Sequence, residues 1–354
     1  MPFISNLKIN NDLISFDLDN SSNEIRISFV NAIRRTIISD IYTYAIDEKS
    51  VNFFENSSML NNEFLKHRLT LIPVVSDLEL SDINYENIVI SCKKNNDGEN
   101  MESIYVKDFI CKDITTEKII DNDKLFGGEP QKEYKYENIL LCKIKNKQQL
   151  SFDAKLVKNN AEHGGSVFSP VSKCIYTFKI DDKEVKKMTS NMNETEKTAF
   201  NTLDIERVYA KNDKGEPNVY QFCIESIGFY KPKNIVLLGI ESLINRLNNL
   251  KTDFNNKKSK KVELVENDIN PDFFDFLIDN ENETIGNLLS TYITYDENVF
   301  FCGYVIEHPL KKNIVLRIKL NVNNNLENII SLIDKNIDNI TGLLNNIMNE
   351  LKNI

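Results

Sequence analysis

Close to the C-terminus, Leu326, Ile330, Ile333, Ile337, Ile340, Leu344, Ile347 and Leu351 recur in alternating steps of four and three. That spacing winds an apolar seam along one side of a long helix. Left in water, each of these side chains forfeits roughly 1.5–3 kcal/mol of burial, so the seam requires a partner. A second seam, Ile240, Leu243, Leu247, Leu250 and Phe254, follows the helix breaker Lys231-Pro232-Lys233.

Each seam closes a segment that opens in the same order. Residues 7–18, LKINNDLISFDL, alternate as strands do, and Phe29, Ile33, Ile37 and Ile41 then change to a helical period. Later, Phe274, Phe276 and Ile278 alternate, a polar Asn-Glu-Asn-Glu-Thr follows, and Ile285, Leu288, Leu289 and Tyr292 take helical spacing. The phrases FVNAIRR and TIGNLL thus correspond, with Asn31 and Asn287 standing 256 positions apart and Ile33 falling on Leu289. Arg34 and Arg35 lie off the apolar stripe, where two forked donors would sit on an exposed flank. The second copy has Ser290 and Thr291 there, so whatever the arginines grip, one half alone grips it.

Between the first helix and its closing seam, a stretch from about residue 46 to 222 has no counterpart in the second copy. Its strand-like runs at 88–90, 139–144 and 174–180, separated by Asn/Asp/Gly/Lys loops, indicate a β-rich insertion. Residues 181–202 are charged and read as a mobile or helical excursion. The run from Lys251 to Lys261 is polar and basic apart from Phe254, which fits a solvated linker better than a nucleic-acid patch.

Little in the chain suggests chemistry. A net charge of −10 over 354 residues gives no global attraction to a phosphate backbone. The N-terminus shows no basic and apolar leader, and no apolar run reaches the length of a membrane span, so a soluble, unexported protein is expected. Six scattered cysteines form no C-x-x-C and no close Cys/His pair, which points to reduced, mostly buried thiols. His67, His163 and His308 each have a glutamate nearby but no second ligand at metal spacing. Gly127-Gly128 and Gly164-Gly165 lack the flanking residues of phosphate loops and read as tight turns. No Asp-rich run would hold Mg²⁺ for nucleotidyl transfer.

Taken together, these phrases resemble the α-like assembly subunits of multisubunit DNA-directed RNA polymerase. FVNAIRRTIISDIYTYAID, the run NSSMLNNEFLKHRLTLIPV at 56–74, residues 139–171 and FCIESIGFYKPKNIVLLGIESL at 222–243 resemble RNA polymerase II subunit 3 and its archaeal D-like counterpart. The run ENETIGNLLSTYITYDENVFFCGYVIEHPLKKNIVLRI at 281–318, with the helix after it, resembles RNA polymerase II subunit 11 and its archaeal L-like counterpart. The resemblance implies an α+β fold of two dimerisation modules paired within one chain, as in a natural fusion of two subunits, of the kind large DNA viruses encode. It further implies a pairing face of Phe29, Asn31, Ile33, Ile37 and Ile41 from one helix and Ile285, Asn287, Leu288, Leu289 and Tyr292 from the other. The expected boundaries are 1–45 with 223–254 for the first module, 46–222 for the insertion, 255–262 for the linker and 263–354 for the second module. Many relatives carry zinc or iron–sulfur cysteines in the insertion. Here the cysteines of that stretch, Cys92, Cys111, Cys142 and Cys174, are widely scattered, so neither metal nor cofactor is expected.

What the resemblance implies for function is a non-catalytic platform that nucleates association of the two largest polymerase subunits. The second-largest subunit would dock on the first module through Arg34, Arg35, His67 and Arg68, and the largest would face the second module. Small zinc-bearing subunits would dock as well, with little or no direct DNA contact and no membrane. The expected location is the virion and host cytoplasm for a viral protein, or the nucleus for a cellular one. Competing readings are a stand-alone dimerisation scaffold and a metal-dependent hydrolase built on the three histidines. If the pairing is internal, light scattering on the pure chain will give the mass of a monomer; a homodimer would contradict it.

Overall fold

The computed structural model describes residues 2–76, 83–127, 139–212, 215–256, 259–265, 272–308 and 310–354. Strands β1 (Ile4–Asn10) and β2 (Leu13–Asp19) form an antiparallel hairpin. Its turn is made by Asn11 at φ 43°, a left-handed conformation that asparagine tolerates. Helix α1 (Ile27–Ser39) follows and buries Phe29, Val30, Ala32, Ile33, Thr36 and Ile37.

A β-rich region comes next. It contains β3 (Thr43–Ile46), β4 (Asn52–Asn56), α2 (Asn62–Thr70), β5 (Ile88–Asn95), β6 (Glu102–Tyr105), β7 (Ile110–Asp113), β8 (Ile119–Ile120), α3 (Asn122–Phe126), β9 (Leu140–Ile144), β10 (Gln149–Asn159) and the short α4 (Ala161–Gly164). Strand order in its main sheet is β3-β10-β5-β7-β8, with β4 also on β10, while β6 and β9 pair separately. Gly127, at φ 79°, ends α3, and Gly165, at φ 84°, follows α4, so both mark tight turns. Gly128 lies outside the described residues, as do Lys257, Lys258 and Pro309.

The chain then returns to the first sheet. Strand β11 (Val171–Phe178) leads to α5 (Asp182–Thr189) and α6 (Glu194–Leu203), then to β12 (Val219–Ser226) and the long helix α7 (Pro232–Asn255). Proline suits the first turn of α7, where its missing N–H is not needed. The sheet runs β1-β2-β12-β11, with Phe222 opposite Phe16 and Ile224 opposite Ile14. This pairing moves the expected boundary, because residues 171–226 largely complete the first module and do not belong to the insertion sheet. The excursion over 181–202 is helical.

The second module repeats the plan. Strands β13 (Val262–Val265) and β14 (Phe274–Asp279) precede α8 (Glu283–Thr294), and β15 (Val299–Val305) and β16 (Asn313–Leu320) precede α9 (Leu326–Asn353). Its sheet order is β13-β14-β16-β15. Strand β13 starts at Val262, inside the range expected for the linker, because it pairs with β14 from Val262 opposite Ile278 onward. Helices α8 and α9 are capped by Asn282 and Asn325, whose side chains accept from Thr284 N and Asn328 N.

One apolar core runs unbroken through both modules. It includes Phe16, Phe29, Ile37, Leu243 and Leu247 of the first and Phe276, Ile285, Leu289, Ile333 and Ile340 of the second. A separate core, with Leu65, Ile90, Phe109 and Phe152, fills the insertion. Within the shared core α7 approaches α1 closely at Gly239, where an added Cβ would stand 2.5 Å from Ile37 Cγ1. Replacing Gly239 by alanine gains about 1 kcal/mol in helix propensity. Overpacking the fully buried Ile37 costs about 1–3 kcal/mol and outweighs it. Gly239→Ala is therefore expected to lower the urea midpoint; an unchanged or higher midpoint would contradict this packing.

Candidate functional site at the seam between two modules

Helices α1 and α8 start 256 positions apart, as do their caps, Arg26 and Asn282. They lie antiparallel. Near one end the Phe29 and Tyr292 rings meet with centroids 6.4 Å apart, and near the other Arg35 Nε donates to Thr284 Oγ1 at 2.7 Å. Helices α7 and α9 also cross antiparallel, since Lys251 Nζ reaches Asp338 and Asn255 Nδ2 reaches Asp334. Four helices thus meet between two outer sheets, the arrangement of a pseudo-twofold dimer.

Phe29, Ile33, Ile37, Ile41, Ile285, Leu288 and Leu289 are buried in the shared core. Tyr292 is half-buried, and its hydroxyl donates to Glu24 O at 2.9 Å. The two asparagines act locally instead. Asn31 Oδ1 accepts from Arg34 Nε, and Asn287 accepts from Thr291 Oγ1, so each is satisfied within its own helix.

The arginine pair departs from expectation. Arg34 and Arg35 are half-buried, because α1 is flanked by α7 and α8 and leaves little open surface. Arg35 crosses the seam to Thr284, and Arg34 lies close enough to the β11 residues Cys174 and Tyr176 for its charge to act on both. In α2, His67 is exposed, while Arg68 donates to Leu140 O and Leu141 O and ties α2 to β9.

A polar cluster at one end of the seam has no motif to announce it in the sequence. Arg246 of α7 donates from Nη1 to Asp40 Oδ2 at 2.8 Å and from Nε to Glu281 Oε2 at 2.8 Å. Lys261 Nζ donates to Glu281 Oε1 at 2.8 Å, and Glu162 of α4 accepts from Asn282 Nδ2 at 2.9 Å. Both modules and the insertion therefore meet around Arg246, beside a cleft of about 570 Å³ that Tyr42, Lys158 and Tyr230 help line. One signal does point to it: Glu281 is charged at the position that Ile25 occupies in the first copy. At the opposite end, Arg26 pairs with Glu216 at 2.7 Å and stacks 3.7 Å over the ring of Tyr295.

Burial pushes the thiols of Cys92, Cys111, Cys174 and Cys302 up to about 12, which keeps them protonated and inert. Among the described residues, no group of three or more His, Cys, Asp or Glu side chains is arranged to hold a metal ion. His67, His163 and His308 sit on α2, on α4 and after β15, on separate parts of the fold. No described helix is long and apolar enough to cross a membrane. What the seam offers is a continuous core that joins two modules.

Fold and seam together define two modules of one plan paired within one chain. The sequence profile of the RNA polymerase Rpb3/Rpb11 dimerisation domain matches residues 22–247, more than half the chain, and a second profile of that description matches residues 274–350. The chain belongs to the RNA polymerase Rpb3/Rpb11 dimerisation-domain family, as an α-like, non-catalytic assembly subunit of DNA-directed RNA polymerase. It is similar to the DNA-directed RNA polymerase subunit Rpo3 of Pyrococcus furiosus, 27% identical over 248 residues, covering 63% of this chain and 87% of the relative. It is also similar to the DNA-directed RNA polymerase II subunit rpb3 of Dictyostelium discoideum, 24% identical over 291 residues, covering 70% and 93%. Over 80 residues it is 40% identical to subunit 3 of RNA polymerases II, IV and V of Arabidopsis thaliana, covering 23% of each chain.

The two seam ends titrate differently. Around Arg246 three carboxylates share two cations, and burial raises Asp40 above its ordinary value of 3.8 despite the arginine. Its contribution favours the fold below 3.8 and fades as pH rises through the raised value. Asp296, held by Lys335 Nζ at 2.7 Å, is lowered by that hydrogen bond, so its stabilisation is present above 3.8 and lost as pH falls through the lowered value. Carboxyl-carbon NMR should place the Asp40 midpoint above 3.8 and that of Asp296 below it; the reverse order would contradict the geometry.

Proposed function

We propose that this chain is the platform on which the two largest subunits of its RNA polymerase come together. The observation that carries the reading is the unbroken core through both modules, which holds two faces in one fixed relation. Pairing inside one chain replaces dilute encounter of two subunits with an effective concentration of order mM. The same arrangement supports reading the chain as a natural fusion of a subunit-3-like and a subunit-11-like partner.

In this reading the first module receives the second-largest subunit and the second module faces the largest. The docking candidates are Arg34, the exposed His67 and the α2 surface fixed by Arg68. Arg35 contributes through the seam as well as the surface, since its Nε is engaged by Thr284. Small zinc-bearing subunits dock on the same platform. The excess of acidic residues favours contacts with protein over direct contact with DNA.

Affinity purification of the tagged chain, with partners identified by mass spectrometry, tests this directly. Both large polymerase subunits are expected, and their absence would undo the reading. The double variant Arg34→Ala/His67→Ala should keep the wild-type melting temperature and recover about tenfold less second-largest subunit, equivalent to ~1.4 kcal/mol. Unchanged recovery would remove those residues from the docking surface.

A further inference from the structure

The pseudo-twofold seam is closed by different chemistry at its two ends. At one end the start of α8, with Glu281 and Asn282, meets the end of α1, with Asp40, and Arg246 bridges them. At the other end the start of α1, with Ile25 and Arg26, meets the end of α8, with Tyr295 and Asp296. Lys335 of α9 holds Asp296 as Arg246 of α7 holds Asp40. The lysine has no counterpart of Glu281 to reach, because the corresponding residue, Ile25, is fully buried and apolar.

From this asymmetry we infer that Arg246 and Glu281 specify which modules pair, admitting the first with the second and rejecting either with a copy of itself. In a pair of two first modules, both ends would set Ile25 and Arg26 against Asp40 and Arg246. Arg246 would lose Glu281, and Arg26 would lose the Tyr295 ring, whose position is taken by Ser39. In a pair of two second modules, both ends would bring Glu281 to Asp296, with Lys261 and Lys335 as their cations but without any arginine. The Glu281 side chain is 1% exposed, so its desolvated charge would keep Lys261, lose the forked arginine and be set against another carboxylate. The apolar stripes are alike in the two helices and discriminate little between these pairings. Charge at one end supplies the difference. The inference concerns the seam alone and stands apart from which subunits dock outside it.

Two full-length variants test it, Arg246→Glu and Glu281→Arg. Each alone sets like charges together and should lower the melting temperature and the yield of soluble monomer. Combined in one chain, they restore an opposite-charge pair and should recover most of both losses. The specificity readout is co-expression of the two single variants as differently tagged full-length chains. By exchanging modules, the Arg246→Glu first module meets the Glu281→Arg second module, while the two unaltered modules meet each other. Pull-down on one tag should then recover the other chain at least tenfold above co-expressed wild-type chains. Co-recovery at the wild-type level, single variants that melt as the wild type does, or a double variant no more stable than the worse single variant would each overturn the inference.

Discussion

Antiparallel packing of α1 on α8 is the contact on which the remaining structure depends. Each helix lies in a module with its own four-stranded sheet, and the apolar stripes of both enter the core that the modules share. Placed together, the two stripes meet α7 and α9 and complete a single core. Roughly 1.5–3 kcal/mol for each large buried side chain makes this the largest stabilising contribution. Exposed pairs such as Lys251 with Asp338 add at most about 1 kcal/mol. The ionic cluster at Arg246 behaves otherwise: removing one partner would strand a buried charge, at a cost of about 3–5 kcal/mol.

A symmetric fold does not require symmetric surfaces. The shared architecture is set by the apolar positions that recur 256 residues apart, whereas the differences fall on polar positions around them. Arg34 and Arg35 correspond to Ser290 and Thr291 across the repeat, and Ile25 to Glu281. The insertion adds a further difference, since Glu162 brings it against the start of α8 through Asn282. One seam thus fixes the modules and orients the insertion beside them.

The pairing of the modules within one chain is legible through the resemblance to two associating subunits, and the four helices themselves through periodicity. Local spacing suffices there, because side chains three and four residues apart share a face. Sheet membership is harder: β11 and β12 lie within the stretch that reads as an insertion, and only their long-range pairing with β2 assigns them to the first module. The arginine pair is legible in its place on the helix but not in its environment, since the neighbour Thr284 is 249 positions away. Arg246 belongs to no motif at all. Its role follows from three acidic groups that the chain brings to it from distant segments.

The central claim is that the two modules hold each other through buried contacts and not through their covalent connection. A protease site inserted between Asn256 and Ser259 permits cleavage of the folded chain, followed by native mass spectrometry and gel filtration. The account predicts that the two fragments remain together in equal numbers and part only when the chain unfolds. Separation into two fragments that each stay folded would contradict it.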